Sequence, residues 1–320
     1  MTKVRWGVLS TADIGMVKVT PAIQRAGNSE VVAIASRDEA RATEAASQLG
    51  IAAAYGSYEA LLAADDVDAV YIPLPNDMHA EWTMKAAAAG KHILCEKPLA
   101  MSWAQAEEMA AACRDAGVKL AEAFMYRHHP TWVEALRLVR IGTIGDLQAV
   151  QSWFSYYNDD PGNIRNRVEN GGGAIMDIGC YNINLSRLVF GAEPSHVASS
   201  VRRDAVMGID TLSSAVLEFP GGGQSSFTCA IRAEDYQRAH IVGSSGRIEI
   251  EIPFNIPPDR ETRIFVTRGG DTETVVFPPT NQYTIQAELF AAAILDDTDV
   301  AVPVDDAIAN MRVIEAIMRS

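Results

Sequence analysis

Residues 4–15 read Val-Arg-Trp-Gly-Val-Leu-Ser-Thr-Ala-Asp-Ile-Gly. The apolar run over 4–10 predicts a strand, and the segment 14–26 predicts a helix. Between them, small residues stand at Ser10, Ala12 and Gly15, the spacing of G-x-G-x-x-G with Ser and Ala in the first two glycine places. That pattern needs small residues so that backbone can approach a pyrophosphate and the helix can pack on the strand. The helix N-terminus adds N–H groups and the positive end of its dipole. Small residues are common in such turns, so the motif gains its meaning from its place after the first strand and before a helix.

Outward from this turn, strand and helix signals alternate. Strands are predicted at 31–36, 53–55, 69–72, 92–95 and 118–121, with helices at 38–49, 57–63, 77–89 and 102–116. Gly90 and Gly117 terminate two of these helices, and Ser102 with Gln105 forms a capping box at the start of another. The alternation implies βαβ units and a doubly wound parallel sheet, giving an α/β domain over 1–123. From 124 to 320 the pattern changes. A helix follows Pro130 to 141, a strand covers 147–157, a polar loop reaches Asn170, and Gly171–Gly172–Gly173 introduces a helix over 174–190. Seven strands are predicted between 197 and 277, and helices at 284–295 and 305–318 close the chain. This is an α+β domain with a large, mostly antiparallel open sheet. Helices cover one face of that sheet, so the other face predicts a second copy, in a homodimer or homotetramer.

Composition narrows the partners. The 320 residues carry a formal net charge of −14 and no basic block, which argues against nucleic acid and anionic membranes. No 18-residue apolar run predicts a membrane span, and the first residues lack a signal-peptide core, so a cytoplasmic place is expected. Cys95, Cys113, Cys180 and Cys229 are scattered without a C-x-x-C pair, so neither a metal site nor a disulfide framework is expected.

The strand ends of a doubly wound sheet face the ligand. The second strand ends in Ser36–Arg37, with Arg41 one helical turn on. An acid there favours NAD, whereas an arginine accommodates a 2′-phosphate, so NADP is expected over NAD. Asp38 competes for the ribose. The fourth strand runs into Leu74–Pro75–Asn76, with His79 in the following helix; Asn76 serves either as helix cap or as cofactor contact. Glu96–Lys97–Pro98 closes the fifth strand and puts Lys97 in a ligand-facing place, against the plainer reading of a surface lysine. In the run 171–181, Gly-Gly-Gly-Ala-Ile-Met-Asp-Ile-Gly-Cys-Tyr, Asp177 and Tyr181 are four apart and share a helix face. An acid and a phenol near a lysine form a proton-transfer and sugar-binding set. A phenol of pKa about 10 is a poor base at neutral pH, and a neighbouring ammonium lowers that value. The plainer reading is an aspartate capping its own helix and a core tyrosine. His128–His129, being adjacent, share no face and read as a structural corner before Pro130.

Taken together, Ser10–Gly15, Pro75–Asn76 with His79, Glu96–Lys97–Pro98 and the run 171–181 resemble the glucose–fructose oxidoreductase/inositol dehydrogenase (Gfo/Idh/MocA) family of nicotinamide-dependent oxidoreductases, over nearly the whole chain. Tyr181, where many members carry histidine, and Asn163–Ile164–Arg165 are similar to the branch holding NADP-dependent D-xylose 1-dehydrogenases and dimeric dihydrodiol dehydrogenases. The resemblance implies a Rossmann-type first domain that binds NADP through Ser10, Thr11, Ala12, Asp13, Ile14, Ser36, Arg37, Arg41, Leu74, Pro75, Asn76, His79, Glu96 and Lys97. It implies Lys97, Asp177 and Tyr181 as catalytic residues, with Tyr157 and Arg165 also lining the substrate. The implied reaction is hydride transfer between NADP and a carbohydrate, such as oxidation of D-xylose or D-glucose at C1 to a lactone. Alternatives are a trans-dihydrodiol dehydrogenase, a keto- or anhydro-sugar reductase and, from another class, a non-catalytic dinucleotide sensor.

Overall fold

Strand β1 (Val4–Leu9) stands in a six-stranded sheet with β2 (Ser29–Ala35), β3 (Ala53–Tyr55), β4 (Ala69–Ile72), β5 (His92–Cys95) and β6 (Leu120–Glu122), in the order β3-β2-β1-β4-β5-β6. Every pair is parallel. The chain therefore reverses its direction of travel across the sheet between β1 and β4, and the turns leaving these two strands flank the switch point where such sheets bind ligands. All four residues of β4 are buried, as expected of a strand covered on both faces. The intervening helices are α1 (Thr20–Arg25), α2 (Glu39–Leu49), α3 (Tyr58–Leu62), α4 (Asn76–Ala88) and α5 (Trp103–Asp115). Before α1 the helix opens in a wide, π-helical turn over Gly15–Val19. Ser102 Oγ accepts the Gln105 amide as the capping box requires, but the Gln105 side chain reaches back to the Met101 amide, one residue earlier than expected.

The computed structural model describes residues 2–319 and resolves them into two compact units: residues up to Met125 with Tyr283–Ile308, and Tyr126–Gln282 with the residues from Ala309 on. The expected division at 123/124 thus misses an insertion. The segment 283–308 folds with the parallel sheet because Phe290 packs its ring 5.6 Å from that of fully buried Trp6 in β1. Asn28 Nδ2 also donates to the Glu288 carbonyl at 2.9 Å, and Lys119 pairs with Asp297 at 3.2 Å.

The second unit holds α6 (Pro130–Arg140), β7 (Leu147–Tyr157), α7 (Cys180–Phe190) and strands β8 (His196–Arg203), β9 (Asp210–Glu218), β10 (Gln224–Ala230), β11 (Arg232–Gly243), β12 (Gly246–Ile250), β13 (Thr262–Arg268) and β14 (Asp271–Phe277). The eight strands run in the order β14-β13-β12-β11-β7-β10-β9-β8. Only β7 and β10 pair in parallel, so the sheet is mostly antiparallel as expected. Alternation along β7 buries Val150, Ser152 and Phe154 and turns Gln151 and Trp153 outward. The buried face meets α7, where Asn182 Nδ2 donates to Ser152 Oγ at 2.8 Å. Helix α8 (Gln282–Leu295) and helix α9 (Val304–Met318) complete the chain. Asn310 Nδ2 donates to the Cys180 carbonyl, and Ser199 Oγ to that of Ile317, so the end of α9 belongs to the second unit. No helix among the described residues is long and apolar enough to cross a membrane.

Candidate active site

In the first unit, the turn after β1 carries a strained residue. Ser10 adopts φ 146°, a value that is the domain of glycine, at the first glycine place of the fingerprint. Its Oγ accepts the Ala12 amide at 3.0 Å, so one N–H of the cradle is held within the loop. Asp13 is exposed, and Thr11, Ala12 and Ile14 are half-buried. At the end of β2, Ser36 is buried while Arg37 and Arg41 are exposed, and neither arginine forms an ion pair among the described residues. Asp38 is the N-cap of α2 and accepts the Ala40 and Arg41 amides at 3.0 and 3.3 Å. Both bonds end on Oδ1, so Asp38 caps the helix with one carboxylate oxygen, beside the exposed Arg37 and Arg41 at a strand end suited to a 2′-phosphate.

After β4, Leu74 is buried, and the N-cap position of α4 falls on Pro75, so Asn76 sits inside the helix and is not its cap. His79 is fully buried, with Nδ1 2.9 Å from the Pro98 carbonyl and Nε2 2.8 Å from the Leu74 carbonyl, so both ring nitrogens face the protein's own backbone. Burial, with the nearby Lys97 charge in support, holds its pKa below the ordinary histidine value. The turn after β5 contains a cis Lys97–Pro98 bond. Glu96 is engaged there: Tyr71 Oη donates to its Oε1 at 2.6 Å, and the Lys97 amide donates to its Oε2 at 3.3 Å. Burial, then the Glu96 charge, pushes the Tyr71 phenol well up, so it stays a donor. The Leu99 amide donates to Glu122 Oε1 at 2.7 Å.

In the second unit, the glycine run enters a helix that again begins with a π-helical turn, Ile175–Gly179, continued by α7. The entry allows no side chains. A Cβ on Gly172 would lie 2.5 Å from the Arg165 carbonyl oxygen, and one on Gly173, at φ 118°, 2.1 Å from Asp210 Oδ1. Asp210, buried at the start of β9, supplies the missing cap: its Oδ2 accepts the Ile175 amide and the Ser213 hydroxyl, each at 2.9 Å. Burial raises its pKa.

Asp177, far from capping its own helix, faces side chains. Tyr156 Oη donates to its Oδ2 at 2.5 Å, and Arg165 Nε lies 3.2 Å from the carboxylate. Burial first, then the Asp177 charge, pushes the Tyr156 phenol far above its ordinary value, so it remains a donor. Tyr157, the expected substrate contact, is 61% exposed and donates instead to Asp159 at 3.2 Å. Strand alternation puts it on the opposite face from Tyr156, the partner of Asp177 that the sequence does not single out. Tyr181 is 5% exposed in an aromatic socket, with ring centroids of Tyr126, Phe154 and Phe254 at 5.9, 5.7 and 5.4 Å. Asn166, also missed, is buried and ties the loop through the Asp160 carbonyl at 2.8 Å. A hollow of about 580 Å³ on the outer face of the second sheet, lined by Trp153, Ser214, Tyr236, Arg238 and His240 among others, contains none of these residues.

Comparison with known proteins identifies the family. Residues 4–124 match the Gfo/Idh/MocA model, described as an oxidoreductase family with an NAD-binding Rossmann fold, and residues 132–249 match a C-terminal domain model of the same family. The chain is 42% identical to D-xylose 1-dehydrogenase (NADP(+)) 2 of Haloferax volcanii, over 98% of this chain and 96% of that protein. It is 36% identical to trans-1,2-dihydrobenzene-1,2-diol dehydrogenase of Mus musculus, over 77% of this chain and 74% of the other. A 3-ketoreductase from Actinomadura kijaniata, crystallised with NADP and TDP-benzene, superposes with TM-score 0.94 at 32% identity, covering 99% of this chain and 98% of that one.

Proposed function

Because the chain belongs to the Gfo/Idh/MocA family of oxidoreductases, we propose that it is an NADP-dependent oxidoreductase of carbohydrate carbinols, oxidising an aldose such as D-xylose or D-glucose at C1 to the lactone. For the cofactor, the supporting observation is the end of β2, where Arg37 and Arg41 stand exposed beside the helix-capping Asp38. For the substrate, it is Asp177, a carboxylate oriented by Tyr156 and Arg165. The identity with the archaeal xylose dehydrogenase supports the aldose over a cyclic diol.

When bound, the nicotinamide supplies hydride exchange with the carbinol carbon. The chain supplies the rest. The turn Ser10–Ile14 binds the pyrophosphate, Arg37 and Arg41 meet the 2′-phosphate, and Leu74, Pro75 and Asn76 border the cofactor. Tyr181 Oη takes the proton of the reacting hydroxyl. Lys97 Nζ is the proposed hydrogen-bond donor to the reacting oxygen. Asp177 orients a neighbouring hydroxyl, with Tyr156 and Arg165 fixing its carboxylate. General acid–base help of this kind contributes about 10²–10⁴-fold, and orientation of the carbon supplies the remainder. The outer sheet face, with Trp153, Val216 and Tyr236 37–48% exposed, serves as the contact with a second copy. Four free, buried cysteines suit a reducing compartment, so the same proposal places the protein in the cytoplasm.

The test is a screen at a wavelength where the reduced nicotinamide absorbs, with aldoses, inositols, cyclic diols and keto-sugars against NADP and NAD. Turnover of an aldose with NADP is expected; turnover of diols alone, or of no compound despite tight NADP binding, rejects the reading. Lys97→Met and Tyr181→Phe should each abolish turnover and leave NADP affinity intact. Arg37→Ala should weaken NADP far more than NAD, and an equal loss for both removes Arg37 from phosphate recognition.

A further inference from the structure

Three consecutive residues of the Lys97 turn are each held through their backbone by a different side chain. The Lys97 amide donates to Glu96 Oε2, the Pro98 carbonyl meets His79 Nδ1, and the Leu99 amide donates to Glu122 Oε1. These holders differ in what anchors them. Glu96 belongs to the turn itself. His79 comes from α4, and Glu122 closes β6, in register with Cys95 at the end of β5. The Leu99 bond, at 2.7 Å, is the shortest of the three. Leu99 is fully buried and its amide lies in no ladder, so without Glu122 a buried N–H would be orphaned. Short bonds to a carboxylate are the strong ones. A strand-end carboxylate on the adjacent strand thus fixes where the chain goes two residues after Lys97, and with it the direction in which the Lys97 side chain leaves the turn.

We propose that Glu122 is a positioning residue for Lys97, setting the lysine through the Leu99 amide rather than by touching substrate. The inference rests on the reading that Lys97 meets the reacting oxygen. What matters is an acceptor oxygen at the right reach. Gln has that oxygen at the same distance from the backbone without the charge; Asp keeps the charge and draws the oxygen back by one carbon. A misplacement of about 1 Å in a catalytic group can cost about 10²-fold in rate.

The experiment compares Glu122→Asp and Glu122→Gln in the full-length protein by two readouts. One is kcat, KM and NADP affinity with D-xylose as probe. The other is amide hydrogen exchange of the segment 97–99, read without cofactor. The expected result is that Glu122→Asp loses about 10- to 100-fold in kcat, with NADP affinity and thermal midpoint retained, and exchanges the Leu99 amide faster. Glu122→Gln keeps both the rate and the protection. Wild-type kcat in Glu122→Asp overturns the proposal. So does an equal loss in Glu122→Gln, which would assign the effect to charge, or Leu99 protection unchanged by Glu122→Asp. If Lys97→Met itself turns over normally, the catalytic reading of Lys97 fails instead, and with it the proposal. If D-xylose is not turned over at all, the exchange pattern still decides whether Glu122 holds the turn.

Discussion

Two helix entries carry residues proposed for function, and they are built in opposite ways. Both open in a π-helical turn, over Gly15–Val19 and over Ile175–Gly179. The first solves its problem locally: Ser10 takes a glycine-like φ of 146° and its own hydroxyl accepts the Ala12 amide. The second imports its solution. The helix is capped by Asp210, 35 residues away in sequence, and the approach of that carboxylate is what excludes a side chain at Gly173. The first entry has a non-glycine where glycine would be relaxed; the second has glycines where nothing else fits. A local device tolerates substitution because only its own dihedral is strained. A long-range device does not, because two chain segments must meet at fixed separation.

The sharpest way to break the contrast is Gly173→Ala. A Cβ there would sit 2.1 Å from Asp210 Oδ1 on a backbone with φ 118°. Overpacking and the unfavourable dihedral together predict a loss of about 3 kcal/mol or more in urea denaturation. A loss below about 1 kcal/mol would mean that Asp210 can withdraw and that the cap is not needed.

A third entry is capped locally, as the first is, but by a group that titrates. Helix α6 is capped by His129, whose Nδ1 accepts the Thr131 amide at 3.2 Å, which requires that nitrogen unprotonated. Burial lowers its pKa to about 4. The folded state therefore prefers the neutral ring and the unfolded chain binds the proton first. The contribution is fully present above about pH 6.5 and is lost as pH falls through 4, on the order of 2–3 kcal/mol for this group. His129→Asn keeps an acceptor that does not titrate, so its stability should fall less steeply between pH 6.5 and 4. Parallel curves for the two proteins would show that His129 is not the titrating cap.

The contrast between local and imported devices also explains what the sequence disclosed. The parallel sheet was legible because β4, β5 and their flanking helices announce themselves by apolar runs, Ser102 and the terminating glycines, all within a few residues. Lys97 was legible as a strand-end residue for the same reason. Asp210 was not, since nothing in Asp210–Glu218 distinguishes a capping aspartate from a strand-end one. The surroundings of His79 were not legible: its position after a strand suggests a ligand, whereas the two carbonyls beside its ring, Leu74 and Pro98, come together only in the folded chain. The partner of Asp177 follows from strand period: Val150, Ser152 and Phe154 are inward, and continuing the period of two reaches Tyr156. The insertion of 283–308 into the first unit had no local signal, because a helix apolar on most faces does not say which core receives it.

The smallest effect, and the only one of positive sign, is expected from Ser10→Gly. Glycine adopts φ 146° without the cost that a β-carbon imposes, about 1–3 kcal/mol for such backbone. Against this stand the greater entropy of glycine in the unfolded chain, about 0.5–1 kcal/mol, and the lost bond from the Ala12 amide. The balance predicts stabilisation by about 1 kcal/mol or less, read as an upward shift of the urea midpoint. The same change frees the Ala12 N–H to face solvent or an anion. NADP affinity should therefore rise or hold while stability rises, since strain is removed and a donor is released together. If Ser10→Gly destabilises the protein, the Oγ–Ala12 bond outweighs the dihedral strain. The first entry is then as dependent on its side chain as the second is on Asp210, and the difference between them is one of sequence distance alone.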